Sequence, residues 1–360
     1  MKAAVLHATG TPLTIEEVQI SKPGPREVLV RTAAVGVCHS DLHFAEGYLP
    51  FAMPVVLGHE ASGVVEQVGA DVRTVRPGDH IVTCISAYCG HCEHCLSGHL
   101  SLCESPETQR QEGEESKLTG QSKAIHQFMN LSAFAEQMLV HEHALVAINR
   151  DMPLDRAALL GCAVTTGAGA VINTAGVRPG ETVAIIGCGG IGLSAINGAA
   201  IAGAGRIFAV DTQETKLAMA RNFGATDTIN ASCDDPVQQL LELSNGKGVN
   251  KAFECVGMKK TIEQAFAMLA RGGTATVVGA AKPGVKIEID PIQFIAEKRI
   301  QGSRMGSNRF PIDIPKMVDF YLQGRLKLDE MISQRIGLEQ INEAFDEIRR
   351  GELARSVIIF

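Results

Sequence analysis

The sequence has no surplus of positive charge. Its 33 Lys and Arg residues are outnumbered by 40 Asp and Glu, giving a formal net charge of −7. There is therefore no basic field for a phosphate backbone, which argues against nucleic acid as a partner. No secretory segment is expected, because the apolar run in "MKAAVLHATGTPLTIEE" is too short for one. Internal repeats and low-complexity tracts are absent. What remains is ordinary for a globular protein: 45% hydrophobic and 20% charged residues, over a length of 360 that allows two domains with a substantial core in each.

Charge of either sign is lacking in two neighbouring stretches, 157–177 and 182–205. Their length fits a membrane span. Glycines crowd the second, however, and Thr165, Thr166, Asn173 and Thr174 interrupt the first. The expectation is a buried strand–turn–helix in a soluble, cytoplasmic protein with no membrane partner.

Ten cysteines without a secretory signal point to thiolates or metal ligands rather than disulfides. Cys89, Cys92, Cys95 and Cys103 stand at the spacing C-x2-C-x2-C-x7-C, which suits a closed tetrahedral zinc shell that holds structure. His91, His94 and His99 lie among them; one could replace a cysteine, but the simpler reading is a set of solvated loop residues. Cys38 in "GVCHSD", His59 in "LGHE" and Cys162 in "LLGCAV" form a scattered second set. Two thiolates and one imidazole leave the fourth zinc position open, the form that does chemistry. Taken singly, each of the three reads equally well as packing. Of the other cysteines, Cys84, Cys188 and Cys255 are expected in the core and Cys233 as an exposed thiol.

Downstream, "AIIGCGGIG" places Gly187, Gly189, Gly190, Ile191 and Gly192 after a predicted strand and at the start of a predicted helix. Glycines there let the backbone turn tightly and approach a pyrophosphate seated on the helix amino terminus. Asp211 ends the next predicted strand, nineteen residues after Gly192. A carboxylate at that point can accept from an adenosine ribose 2′-hydroxyl and repels a 2′-phosphate, so NAD is expected over NADP.

The pattern along the chain divides in two. The first hundred residues alternate apolar and polar positions with Gly and Pro punctuation, and "EVLVRTAAVGV" and "ASGVVEQVG" read as strands with a turn at "RPGD". From about residue 164, strands and helices alternate, which implies a parallel sheet covered on both faces. There "KTIEQAFAMLARGG" reads as a helix and "SVIIF" as a last strand. The segment 104–123 is polar and unpatterned and is expected to be a surface excursion.

Together "GVCHSDLH", "LGHEASGVV", the four-cysteine lobe, "GCAVTTG", "GCGGIG" and "VDTQETKLAMARNFGATDTIN" resemble the zinc-dependent alcohol dehydrogenases of the medium-chain dehydrogenase/reductase family, from the amino terminus to "ARSVIIF". The resemblance implies an α/β protein with an irregular β-rich, GroES-like catalytic domain at 1–163 and 305–360. A lobe at about 89–103 would hold structural zinc, and a Rossmann NAD-binding domain would occupy 164–304. It assigns Cys38, His59 and Cys162 to catalytic zinc, making two zinc ions per chain, and implies zinc-assisted hydride transfer between an alcohol and NAD.

By the same resemblance Ser40 and His43 match a proton relay, Asp41 and Glu60 lie behind the metal ligands, and Thr166 lies near the nicotinamide. Lys216 matches an adenosine-ribose contact and Arg355 a pyrophosphate contact. His39 stands where many relatives have a pyrophosphate-pairing Arg, with fewer fixed donors. Leu49, Ile85, Phe128 and Met129 are expected to line an apolar substrate pocket suited to primary aliphatic or aryl alcohols. Arg304 either selects an anionic alcohol or faces solvent. The glutathione-dependent formaldehyde dehydrogenase branch uses acidic and Arg residues to bind its adduct, whereas Leu49 and Glu107 stand at the matching positions here. "LTGQSKAIHQFMNLSAF" resembles an insertion typical of dimeric members, so a homodimer acting on a small-molecule alcohol or aldehyde is expected. The competing readings are a nicotinoprotein that retains its cofactor and a non-enzymatic zinc or thiol-redox sensor on the same scaffold.

Overall fold

The computed structural model describes every residue except 49, 50, 112, 121, 122 and 352–354. The chain forms two compact units. One comprises Met1–Cys162, Arg309–Gly324 and Leu328–Phe360; the other comprises Ala163–Asn308 and Arg325–Lys327.

The first unit is built on β-structure. The strand Glu27–Gly36 is its centre, pairing with Glu60–Val68 on one side and with both Ser356–Ile359 and Gln137–His141 on the other. Its Val, Leu and Ala residues explain its burial on both faces. A second sheet joins Lys2–Leu6 to Thr14–Glu17 and, through Val55–Val56, to Lys123–Gln127 and Leu118–Gly120. One hydrophobic core serves both sheets, with Phe128, Phe134, Leu57 and Ile81 fully buried in it. The helix Ile341–Arg350 covers it through Ile341, Ala344, Phe345 and Ile348, a 3.6-period stripe.

The second unit is a parallel six-stranded sheet. Its order across the sheet is Asp227–Asn230, Arg206–Asp211, Thr182–Ile186, Val249–Glu254, Leu269–Val277 and Arg299–Gly302. This is the doubly wound order that reverses direction next to its first strand. The helices Gly190–Ile201, Glu214–Phe223, Pro236–Leu243 and Lys259–Ala267 connect the strands. Asp235 caps the third of them by accepting from the N–H groups of Val237 and Gln238, with Pro236 in the first turn, where its missing N–H costs nothing.

Several expectations change in detail. The charge-free stretch at 157–177 contains no strand: it is helical at Leu154–Ala158 and Ala163–Gly169 and continues as a π-helix at Ala170–Thr174. The stretch at 182–205 is the expected strand, turn and helix. Among the described residues no single helix is long and apolar enough to cross a membrane. "KTIEQAFAMLARGG" stops being helical at Ala267, because Leu269 pairs with Val249 and begins the next strand.

The second unit also reaches past residue 304. The Gly306 backbone packs so closely on Gly169 that a Cβ there would lie 2.7 Å from the Gly306 oxygen. Lys327 N–H donates to Asn197 Oδ1 at 2.9 Å, and Asn197 Nδ2 donates to the Arg325 carbonyl at 3.3 Å. The described residues of the segment 104–123 form the expected surface excursion, and several contacts anchor it. Arg110 donates to Glu27 at 2.6 Å, Lys117 reaches the same carboxylate at 3.2 Å, and Leu118–Gly120 pairs with Gln19–Ile20.

Candidate active site

Cys38 ends the central strand region and caps the helix His39–Ala45. His59 lies just ahead of the strand Glu60–Val68. Cys162 sits where the chain leaves helical geometry, at φ −142° and ψ −79°. Gly161 beside it is pressed against the sheet, since a Cβ there would meet the Thr83 carbonyl at 2.9 Å. These three local breaks bring the Cys38, His59 and Cys162 ligand atoms within 4.8 Å of one another, and all three residues are buried.

One carboxylate organises the group. Asp41 Oδ2 accepts from the Cys38 N–H at 3.1 Å, while Oδ1 accepts from the Gly58 N–H at 3.1 Å and pairs with His59 Nδ1 at 2.8 Å. With Nδ1 engaged, His59 Nε2 points to Cys162 Sγ at 3.3 Å. An outer carboxylate that fixes an imidazole in this way is the arrangement a metal-ligating histidine needs.

The electrostatics fit a divalent cation. A hydrogen bond from Cys162 holds the Cys38 thiol well below its usual value, against the effect of burial. Burial works to lower the His59 pKa, but Asp41 and then Cys38 outweigh it, and His59 is held well above its usual value. Burial pushes the Glu60 carboxyl up to about 8, with Arg355 opposing. Neither Glu60 carboxylate oxygen has a hydrogen-bond partner among the described residues, and Arg355 Nη2 lies 3.6 Å from one of them. Arg355 is itself buried, and its Nη1 donates to the Val37 carbonyl at 3.0 Å. Thiolate, imidazole and carboxylate are gathered out of water, and a bound zinc ion would neutralise them.

The second ligand set lies in the short-helix lobe. The sulfurs of Cys89, Cys92, Cys95 and Cys103 lie within 4.8 Å of one another. Backbone N–H groups point at them: Cys92 N–H at Cys89 Sγ and Cys89 N–H at Cys103 Sγ, both at 3.3 Å. This is a closed four-thiolate set of the structural kind. His91 instead pairs with Glu107 at 2.9 Å, and His99 with Ser97.

Ser40 and His43 stand one turn apart on the helix His39–Ala45, partly exposed. The His43 ring stacks on Tyr48 at 4.6 Å, and His39 is exposed 6.0 Å from His43. Phe128, wholly buried, lies 6.0 Å from the His59 ring. Phe44 and Phe51 meet Phe128 edge-on at 4.7 and 5.7 Å. Ile85 and Met129 pack partly buried against the same core, and Leu49 lies outside the described residues. Sequence reasoning passed over Phe44, Tyr48 and Phe51; the aromatic density of "HFAEGYLPF" was the available signal.

In the second unit the glycine turn follows Ile186. Gly187 adopts φ +92°, and a Cβ on Gly192 would lie 1.7 Å from the Gly187 carbonyl oxygen, so neither position tolerates a side chain. Gly189 caps the helix Gly190–Ile201 and looks onto open space, and Ile191 is partly buried within the first helical turn. Asp211 ends the neighbouring strand, where its Oδ2 accepts from the Cys188 N–H at 2.7 Å and its Oδ1 from the Gln213 N–H at 3.1 Å. Lys216 is partly exposed on the following helix. Thr166 is buried, with its hydroxyl 3.4 Å from Met305 Sδ. Arg304 is exposed. Cys84 and Cys188 are buried and Cys233 is exposed, as expected, whereas Cys255 is partly exposed because it lies beyond the end of its strand.

The family description "Alcohol dehydrogenase GroES-like domain" matches residues 24–150, and "Zinc-binding dehydrogenase" matches 190–323. An S-(hydroxymethyl)glutathione dehydrogenase of Photobacterium damsela subsp. piscicida is 39% identical over 364 residues, covering 99% of each chain. Among solved structures, an alcohol dehydrogenase zinc-binding domain protein from Burkholderia ambifaria superposes with a TM-score of 0.95 at 37% identity, covering 100% of this chain and 98% of that one. A benzyl alcohol dehydrogenase from Acinetobacter calcoaceticus superposes with a TM-score of 0.94 at 33% identity, covering 100% and 99%. These relatives favour an enzyme over a sensor.

Proposed function

The chain belongs to the zinc-dependent alcohol dehydrogenases of the medium-chain dehydrogenase/reductase family, and from that premise we propose that it interconverts apolar primary alcohols, aliphatic or aryl, with their aldehydes, using NAD. The observation that carries the substrate class is the aromatic group of Phe44, Phe51 and Phe128 beside His59. Aromatic rings supply buried area and offset or edge contacts to another ring, but few hydrogen bonds. Each methylene accommodated against them is worth about 0.8 kcal/mol, whereas a polyol would bury unpaired hydroxyls.

Cys38, His59 and Cys162 would hold the catalytic zinc. A zinc ion held there would supply the Lewis acidity that eases loss of the alcohol proton near neutral pH, and bound NAD would be the hydride acceptor. Asp41 holds His59 in the tautomer whose Nε2 is free for the metal, and Ser40 and His43 carry the alcohol proton away. Glu60, paired with Arg355, tunes the charge behind the ligands. Gly187, Gly189, Gly190, Ile191 and Gly192 would seat the pyrophosphate. Asp211 and Lys216 bind the adenosine ribose, and Thr166 borders the nicotinamide.

The Photobacterium relative is named for a glutathione adduct. Two features argue against that substrate here: Leu49 offers no acidic group, and Glu107, already paired with His91, offers no Arg-like positive charge. The exposed Arg304 would act only on an anionic alcohol. Measuring kcat/KM for a chain-length series, benzyl alcohol, an ω-hydroxy acid, S-(hydroxymethyl)glutathione and sorbitol tests the assignment. Benzyl and longer linear alcohols should lead. A preference for the glutathione adduct or sorbitol would overturn the apolar assignment, and an Arg304-dependent preference for the hydroxy acid would revise it.

A homodimer is the proposed assembly. The strand Arg299–Gly302 pairs on one side only among the described strands, and Ile292 and Ile295 just before it are 61% and 79% exposed. A second copy would cover this open edge and its apolar flank. Sedimentation of an Ile295→Asp variant should show more monomer than the parent. Ten free cysteines fit a reducing, cytoplasmic setting.

A further inference from the structure

The strand order of the second unit reverses between Thr182–Ile186 and Val249–Glu254, and ligands of such sheets bind outside the carboxyl ends of the strands at that point. The glycine turn leaves the first of these strands; Glu254 ends the second. No side chain of Glu254 reaches solvent, yet it is ionisable, and its two oxygens are used unequally. Oε1 accepts from the Val256 N–H at 2.9 Å, the Gly257 N–H at 2.7 Å and the Thr261 hydroxyl at 2.7 Å. Oε2 is buried with no hydrogen-bond partner among the described residues.

A carboxylate buried this way is unfavourable unless its hydrogen bonds accomplish something an apolar side chain would not. Here they determine where the segment after the strand goes. The Glu254 carbonyl adds two more anchors, accepting from the N–H groups of Val278 and Gly279 at 2.8 and 2.9 Å. Gly257, at φ +87°, is pressed against Ala280, where a Cβ would meet backbone at 2.5 Å. Held between these contacts, Val256 stays 43% exposed, although it is a β-branched apolar residue. Its Cγ2 lies 2.6 Å from where a Cβ on Gly187 would stand, so it occupies the flank of the glycine turn.

We propose that Glu254 is a positioning residue for the dinucleotide: through Oε1 it fixes Val256 as the apolar wall beside Gly187, without touching the cofactor itself. The proposal rests on the NAD assignment made above. It separates two roles on one strand end, a buried anchor and an exposed wall.

The test compares Glu254→Ala, Glu254→Gln and Val256→Ala by fluorescence titration with NADH, thermal unfolding, and the KM values for NAD and alcohol. Glu254→Ala should weaken NADH binding about tenfold, the scale expected when a site loses its supporting contacts. KM for NAD should rise with it, while KM for the alcohol stays near that of the parent. Glu254→Gln keeps one acceptor oxygen and should recover most of the affinity, and Val256→Ala should weaken NADH binding several-fold. A folded Glu254→Ala that binds NADH like the parent overturns the proposal. If Glu254→Ala does not fold, Val256→Ala decides, because it leaves the carboxylate and its three donors intact; parental NADH affinity there also overturns it. A parent enzyme that binds no NADH would refute the cofactor assignment and this inference together, whereas parental affinity in the variants refutes this inference alone.

Discussion

Asp41 and His59 are joined 2.8 Å apart between Oδ1 and Nδ1, and the same carboxylate holds the Cys38 backbone N–H through Oδ2. One buried side chain therefore aims two of the three ligands of the open metal site. Losing such an outer partner typically costs 10–100-fold in metal affinity. Asp41→Ala should fall about that far in a chelator competition for zinc while the four-cysteine lobe keeps its ion. Unchanged affinity at both sites would show that the three ligands are self-sufficient.

The two metal sites should fail differently. Elemental analysis of protein prepared without chelator is expected to give two zinc ions per chain. Cys162→Ser should drop to one, lose alcohol oxidation and keep its melting temperature close to that of the parent. Cys95→Ser should melt earlier, because structural zinc binding contributes directly to folding free energy. Full activity in Cys162→Ser would remove that residue from the catalytic set.

Cofactor choice is predicted to turn on Asp211, whose carboxylate is fastened to the Cys188 N–H beside the glycine turn. Placing a 2′-phosphate next to it puts two anions together, and no Arg follows in "VDTQET" to offset them. Asp211→Ser should weaken NAD use and narrow the gap to NADP, read as the ratio of the two kcat/KM values. Equal efficiency with both cofactors in the parent would defeat the argument.

A pH effect is expected away from the metals. Burial, helped by Arg26 and His143, pushes His141 down to about 4, and its Nδ1 accepts from the His143 N–H at 3.0 Å. The unfolded chain takes up this proton near 6.5 and the folded one only near 4, so between those values the unfolded state binds more protons. Stability is then full above pH 6.5 and is lost as pH falls toward 4. Solvent screening reduces the effect of this single group to about 1–2 kcal/mol. His141→Asn keeps a local acceptor but does not titrate, so urea unfolding from pH 4 to 8 should show a flatter acid limb. Identical limbs would assign the loss to other groups.

Much of this was legible in the residues themselves. The four-cysteine spacing, the glycine turn and the carboxylate nineteen positions on are short-range patterns, each set by the geometry of one strand end or one loop. Cys38, His59 and Cys162 are not of that kind. They are brought together by the pairing of Gly36 with Glu60 in one sheet and by a helix break at Cys162, and only resemblance to a family joined them in the sequence. The tie between Arg110 and Glu27, 83 residues apart, was invisible for the same reason. A polar stretch shows no anchor until its partner is known. The helix expected through "ARGG" failed because pairing of Leu269 with Val249 overrode local helical propensity.

The strand Ser356–Ile359 lies against Glu27–Gly36, pairing Val357 with Gly36 and Ile358 with Val35. During translation the central strand leaves the ribosome more than three hundred residues before the strand that completes its sheet. The dinucleotide-binding unit between them is almost contiguous in sequence and can close on itself first. The metal-binding unit must instead wait, with part of one edge of its central strand open, until Ser356–Ile359 emerges. Limited proteolysis of stalled nascent chains should find the region 163–308 resistant while 27–36 can still be cut.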